Sequence, residues 1–238
     1  MNANALHAPI PAVARIYEAT TRAFDLSRAA SESAGAFLLT GDTVLLSRIS
    51  DHEQEIDRID REVDDEIPAA IAYAAVDDVH LLLTCMKCVV DLERASDLVS
   101  GFANRAAAIH KEIRPDDLAD LSHMATTLAR MHSELLQAFA TRDVNRALTV
   151  LRQDGEIDRQ RNLIFLRHVE SSEASQNRHA MHILVMAQSL ERAGDHLKNV
   201  AEEVCHLVTG RTIRHALRGN NRSYEQLFIQ WLKQKHSV

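Results

Sequence analysis

Leu92-Glu93-Arg94-Ala95-Ser96-Asp97 returns as Leu190-Glu191-Arg192-Ala193-Gly194-Asp195, a shift of 98 positions (190 less 92). Upstream, Asp42 through Glu53-Gln54-Glu55-Ile56-Asp57-Arg58 matches Asp143 through Asp154-Gly155-Glu156-Ile157-Asp158-Arg159, a shift of 101 (143 less 42). The two shifts differ by three residues, which a single change of loop length accounts for. Two strings repeated in the same order at nearly one spacing indicate duplication. The period is far too long for a solenoid, so the repeated object is a domain-sized unit.

The pattern around these strings decides what each unit is. Six apolar-periodic stretches run over residues 12–40, 43–67, 74–112, 116–140, 143–171 and 177–209. Their breaks carry the punctuation of helix ends: Gly41-Asp42, Pro68, Arg114-Pro115-Asp116, Arg142-Asp143 and Gly210. Stretches this long with such short connections predict antiparallel helices in bundles. The fold class expected is all-α: two tandem three-helix bundles, residues 1–114 and 115–210, followed by a C-terminal helical tail, 211–238.

Composition agrees. Gly and Pro number 7 and 4 in 238 residues, well below the average of about 12%. Chains of many short strands need more turn formers than that. Aromatics are 4%, and the net charge of −7 argues against a uniformly basic nucleic-acid binder. The hydrophobic fraction of 46% is that of a globular chain. No apolar run approaches the roughly 20 residues of a membrane span. The amino terminus has no basic region followed by an apolar core, and three cysteines make no disulfide framework. A reducing, cytoplasmic setting is expected.

Each unit carries two acidic pairs at i, i+4: Glu53/Asp57 and Glu93/Asp97 in the first, Asp154/Asp158 and Glu191/Asp195 in the second. That spacing puts both carboxylates on one helix face, where like charges cost roughly 0.2–0.5 kcal/mol. Antiparallel second and third helices would face their pairs toward each other. The result is an oxygen-rich site suited to a hard or borderline cation such as Mg, Mn or Fe. The plainer alternative is a set of solvated acids, with Arg94 and Arg192 as surface partners. The repetition of the pairs, and the apolar residues Leu92, Leu190, Ile56 and Ile157 beside them, favour the site. His196, next to Asp195, is an additional candidate ligand; the first unit has Leu98 there.

Other motifs fit less well. Glu203-Val204-Cys205-His206 has the Glu-x-x-His pattern of di-iron bundles, but that architecture takes two such motifs and the sequence has one. Cys85-Met86-Lys87-Cys88 falls mid-helix and aligns with Ile183 and Met186, so core packing is expected of both cysteines. No phosphate-binding glycine loop, nucleophile elbow or triad is visible.

Residues 211–238 hold six basic residues and one acid, so +5, leaving −12 for residues 1–210. Ser223 is a plausible N-cap. Tyr224, Leu227, Phe228, Trp231 and Leu232 then form an apolar stripe at helical spacing. Such a helix fits either packing on the bundle or a second subunit, or docking to a protein or an anionic membrane surface.

Leu190 to His196, then Asn199-Val200-Ala201-Glu202-Glu203-Val204, Leu207-Val208-Thr209-Gly210-Arg211 and His215 resemble the carboxyl-terminal end of the PhoU family. Asp91 to Asp97 is a weaker copy, and the resemblance spans about residues 12–215. It implies two tandem three-helix bundles. It also implies metal, iron or zinc clusters in that family, at its E(D)-x-x-x-D motifs. Those motifs fall on the four pairs above: Glu53/Asp57, Glu93/Asp97, Asp154/Asp158 and Glu191/Asp195. Fe, Zn, Mn and Mg are the ions considered. The implied role is a non-enzymatic cytoplasmic adaptor, commonly dimeric. It stands between the ATPase of a phosphate ABC transporter and a membrane sensor histidine kinase, and restrains both when phosphate is plentiful. Membrane association would come only through those partners, and no nucleic acid is involved. The first unit departs from the family pattern at Ser96, Leu98 and Gly101, which makes its metal site the weaker expectation of the two. The tail after His215 lies beyond the resemblance. The competing classes are a carboxylate-bridged di-iron-type enzyme and a metal-free structural homodimer.

Overall fold

A computed structural model describes residues 11–170 and 178–211. It contains six long helices: α1 (Pro11–Thr40), α2 (Val44–Tyr73), α3 (Val76–Ile109), α4 (Pro115–Thr141), α5 (Val144–Glu170) and α6 (Arg178–Thr209). A single 3-10 turn, His110–Glu112, follows α3. The expected tail helix lies outside the described residues.

The helix ends show why the chain breaks where it does, and the two units break alike. Gly41 has φ +69° and Arg142, its counterpart at shift 101, has φ +58°; both close a helix in the left-handed region. The next residue in each unit is an aspartate that caps the following helix. Asp42 Oδ1 accepts the Val44 N–H at 3.0 Å, and Asp143 Oδ1 accepts the Asn145 N–H at 2.9 Å. Glycine carries the left-handed turn without strain, whereas arginine adopts it at a small steric cost. Pro115 opens α4 at a position whose N–H has no helical acceptor.

One sequence expectation is corrected. The second stretch was expected to close at Pro68, but α2 runs through it to Tyr73. Proline removes one backbone donor and strains one turn. The alanines around it (Ala69, Ala70, Ala72) are strong helix formers, and Ile67 and Ala70 are both buried. Packing of that face outweighs the lost bond. The third helix correspondingly begins at Val76 rather than at residue 74.

Each unit is an up-down-up bundle: α1, α2 and α3 pack on one another, and α4, α5 and α6 do the same. The units join through α3 against α6 and α1 against α4. One continuous core runs through both, from Val13 and Phe24 to Val204 and Cys205. Phe139 of α4 stacks on Tyr17 and leans on Phe24, both of α1, with ring centroids 5.1 Å apart in each case. Burying an aromatic of this size is worth about 1.5–3 kcal/mol. Helices α2 and α5 pack on the helices of their own units, so each of the seams α2/α3 and α5/α6 belongs to one unit.

The joint between units is also polar. Buried His132 of α4 donates through Nδ1 to the Leu128 carbonyl at 3.0 Å and accepts at Nε2 from Ser27 Oγ of α1 at 2.7 Å. Ser96 Oγ of α3 completes the chain, donating to Ser27 Oγ at 3.0 Å. Three helices from two units thus share one satisfied network, which fixes their register as well as their contact. Between α3 and α6, Asp91 Oδ1 accepts from His196 Nδ1 at 2.8 Å and Asn199 Nδ2 at 3.2 Å. Lys87 Nζ pairs with Glu203 Oε2 at 2.9 Å.

Candidate functional site

The acidic pairs sit on the two seams α2/α3 and α5/α6. Ile56 and Leu92 are buried at 0% exposure, and Ile157 and Leu190 at 1%. Each anchors its helix by an apolar face and turns the neighbouring carboxylates toward the facing helix. In the first unit this brings Glu53 of α2 into a hydrogen bond with Asp97 of α3, with Asp57 close by. Glu93 of α3 feels the charges of Asp97, one turn on, and of Asp60 and Asp57 on α2. Asp60 in turn feels Asp64 and Asp57. The sequence reading named four of these acids; Asp60 and Asp64 enlarge the group to six. A usable signal existed, since Asp60 lies three residues after Asp57 on the same face.

Electrostatics in this cluster favour protonation. Burial pushes Glu53 upward, and the charge of Asp97, the hydrogen bond to it and the charge of Asp57 push the same way. Burial likewise raises Glu93, followed by Asp97, Asp60 and Asp57. Asp60 is raised by burial and by Asp64 and Asp57, against the pull of Arg94 and Arg61. Those two arginines are exposed: Arg61 keeps 69% of its side chain in solvent while pairing with Asp57 at 2.5 Å. Exposed partners of this kind contribute little.

The second unit assembles the same four pair positions with different company. Asp154, whose side chain is only 5% exposed, accepts from Lys198 Nζ at 2.8 Å. Burial raises Asp154 despite that ammonium, with Asp158 and Asp195 adding to the rise. Asp158 is raised by burial and by Asp195, and lowered by Lys198 and Arg161. Glu191 is raised by burial and Asp195, opposed by Arg161. Arg161 is held in place by Gln188, whose Oε1 it reaches at 2.8 Å, and Gln188 hydrogen-bonds Glu191. His196 stands apart from these acids: its Nδ1 is turned across the unit boundary to Asp91. Arg192 is exposed.

Whether a metal suits these residues follows from the donors. The first cluster offers only carboxylate oxygens, in mutual repulsion, from two facing helices, which is the chemistry a hard or borderline cation relieves. Among the described residues, no three carboxylate, imidazole or thiol groups already converge at coordinating distance. Binding would therefore draw Glu53, Asp57, Glu93 and Asp97 together from their present rotamers. In the second cluster, the Lys198 ammonium already sits on one of the four carboxylates, that of Asp154.

The remaining motifs are structural. Cys85, Cys88 and Cys205 are buried, and burial pushes their thiols to about 11, well above the ordinary value, and about 12 respectively. Glu203 of the Glu-x-x-His motif is engaged by Lys87, and His206 stacks edge-on to His80 at 4.8 Å.

Six helices in two like bundles, each with a carboxylate seam between its second and third helices, define a duplicated three-helix-bundle fold. The chain belongs to the PhoU family: the profile of the PhoU domain matches residues 20–106 and again residues 121–204. A phosphate-specific transport system accessory protein PhoU homolog of Pseudomonas aeruginosa is 31% identical over 186 residues, spanning 75% of this chain and 76% of that protein. A relative of the same description from Deinococcus radiodurans is 32% identical over 181 residues, spanning 70% and 84%. The crystal structure of PhoU from Pseudomonas aeruginosa matches with a TM-score of 0.75 at 28% identity, covering 84% of this chain and 98% of that one.

Proposed function

We propose that this protein regulates phosphate uptake and phosphate-starvation signalling. It acts as an adaptor between the ATPase of a phosphate ABC transporter and a sensor histidine kinase, and represses the starvation response when phosphate is plentiful. The observation that carries this reading is the family match over both repeats, to relatives described as phosphate-specific transport system accessory proteins. The role asks for no catalysis: the chain offers surfaces to two partners. It is exercised in the cytoplasm, where the ATPase and the kinase domain face it, and by a homodimer. No described helix is long and apolar enough to cross a membrane, so in this reading contact with the membrane comes through the partners. The carboxylate seam of the first unit holds divalent or iron-type metal, with Glu53, Asp57, Glu93 and Asp97 as donors; Asp154, Asp158, Glu191 and Asp195 stand at the equivalent positions of the second.

The test is deletion and capture. Deletion is expected to leave phosphate-starvation genes on in phosphate-rich medium, and the tagged protein is expected to retain the transporter ATPase and the kinase. Normal repression in the deletion strain refutes the role. For the metal, the expected result is a rise in melting temperature of the EDTA-treated protein on adding Mn2+, lost in a quadruple Glu93, Asp97, Glu191, Asp195 to Ala variant. An unchanged metal response in that variant refutes the assignment.

A further inference from the structure

The two repeats place different charges at equivalent positions of their seams. At shift 98, Lys198 corresponds to Ser100; at shift 101, Arg161 corresponds to Asp60 and Asp154 to Glu53. The consequences are visible in the contacts. Where Glu53 meets another acid, Asp97, across the seam, Asp154 has the Lys198 ammonium at 2.8 Å. Where Asp60 adds a negative charge felt by Glu93, Arg161, held on Gln188, adds a positive charge felt by Glu191 and Asp158. The Lys198 side chain is 24% exposed and that of Asp154 only 5%, so this pair is far better shielded than the Arg61–Asp57 pair of the first unit. Six acids against two exposed arginines leave the first seam strongly anionic. Four acids against Lys198 and Arg161 leave the second half neutralised.

We propose that the second unit carries its own cation: Lys198, seated on buried Asp154 and seconded by Arg161, takes the place of a metal ion in that seam, so that the metal response of this protein belongs to the first unit alone. A tethered ammonium is present at fixed stoichiometry and makes one charge-assisted bond per donor. A divalent ion entering the seam would have to displace it and would leave a cationic side chain beside itself. Buried Asp154 would then lose its partner, and breaking a shielded pair by removing one charge is strongly destabilising. The statement about the first unit rests on the metal reading above; the statement about Lys198 does not.

The experiment uses the full chain stripped with EDTA and Mn2+ alone as probe, read by calorimetric stoichiometry and by thermal unfolding. In K198S, which installs the first unit's residue, the metal-free protein is expected to melt lower, and Mn2+ is expected to restore it and to gain one site over wild type. K198R keeps the cation and is expected to behave as wild type in both readouts. In wild type, E93Q/D97N is expected to weaken Mn2+ binding at least tenfold. The proposal is overturned if K198S gains no Mn2+ site, or if D158N/E191Q weakens wild-type binding as much as E93Q/D97N does. If wild type takes up no Mn2+ at all, the metal reading of the first unit fails. K198S still decides the present proposal, since a site gained there supports it and none gained overturns it.

Discussion

His132 is expected to make the joint between the two units sensitive to acid. The ring is 0% exposed and carries no proton beyond the one it gives to Leu128; burial lowers its pKa to about 4 from an ordinary 6.5. In the unfolded chain it titrates normally. The folded pKa lies below the unfolded one. The contribution is therefore fully present above about pH 6.5 and is lost as pH falls toward 4, because the unfolded state binds the proton first. A difference of about 2.5 units at 1.36 kcal/mol each gives a loss of about 3 kcal/mol across that window, about 1.4 kcal/mol of it by pH 5.5. The perturbation is His132→Phe, which keeps a ring of similar size and removes the titration. At pH 7.5 the variant is expected to be less stable by about 1–3 kcal/mol, because the buried Ser27 hydroxyl loses its acceptor. The assay is urea unfolding followed by circular dichroism at pH 7.5, 5.5 and 4.0 for both proteins. Contributions from every other group cancel in the difference. The advantage of wild type should shrink by about 3 kcal/mol from the first pH to the last, enough to vanish or reverse. A difference that stays constant within about 0.5 kcal/mol refutes a neutral, buried His132 as the linkage between units.

Two further outcomes follow from the same physics. Glu53 and Glu93 have raised pKa values, so at neutral pH their charge opposes folding, and the opposition fades as pH falls through the raised values. E53Q and E93Q should therefore each stabilise the metal-free protein at pH 7 by several tenths of a kcal/mol per like-charge contact removed. The gain should shrink in high salt, and a loss of stability in low-salt melts would contradict the electrostatic account of the first seam. Cys85, Cys88 and Cys205 are buried with raised thiols. All three should resist iodoacetamide in the native protein at pH 8 and react after unfolding, as intact-mass analysis would show; labelling of the folded chain would refute their core role.

Helix spacing made the grouping of the acids legible. Glu93 and Asp97 share a face because 3.6 residues make a turn, and so do Glu53 and Asp57, whatever the rest of the chain does. The repeat then supplied the pairing of helices within each unit. Asp60 could have been added by the same rule, as it follows Asp57 by one turn. Lys198 was harder to see. It lies three residues after Asp195 on α6, yet its partner is Asp154 on α5, and only the rotation of α6 against α5 brings Nζ to 2.8 Å from that carboxylate. His196 shows the same limit: its neighbour in sequence is Asp195, but its ring is turned to Asp91 of the other unit.

The sequence by itself determined the helices, their ends at Gly41, Arg142 and Gly210, the duplication, and the acids that line each seam, since all of these depend on local geometry and on periodicity. The tertiary structure decided how the two copies meet, α3 on α6 and α1 on α4, and with that the buried Ser96–Ser27–His132 chain. It also decided that one acidic seam stays strongly anionic while its twin holds a lysine. Contacts between helices depend on rotation and register, which are set by side chains packing together across the whole core, and no spacing within a single helix encodes them.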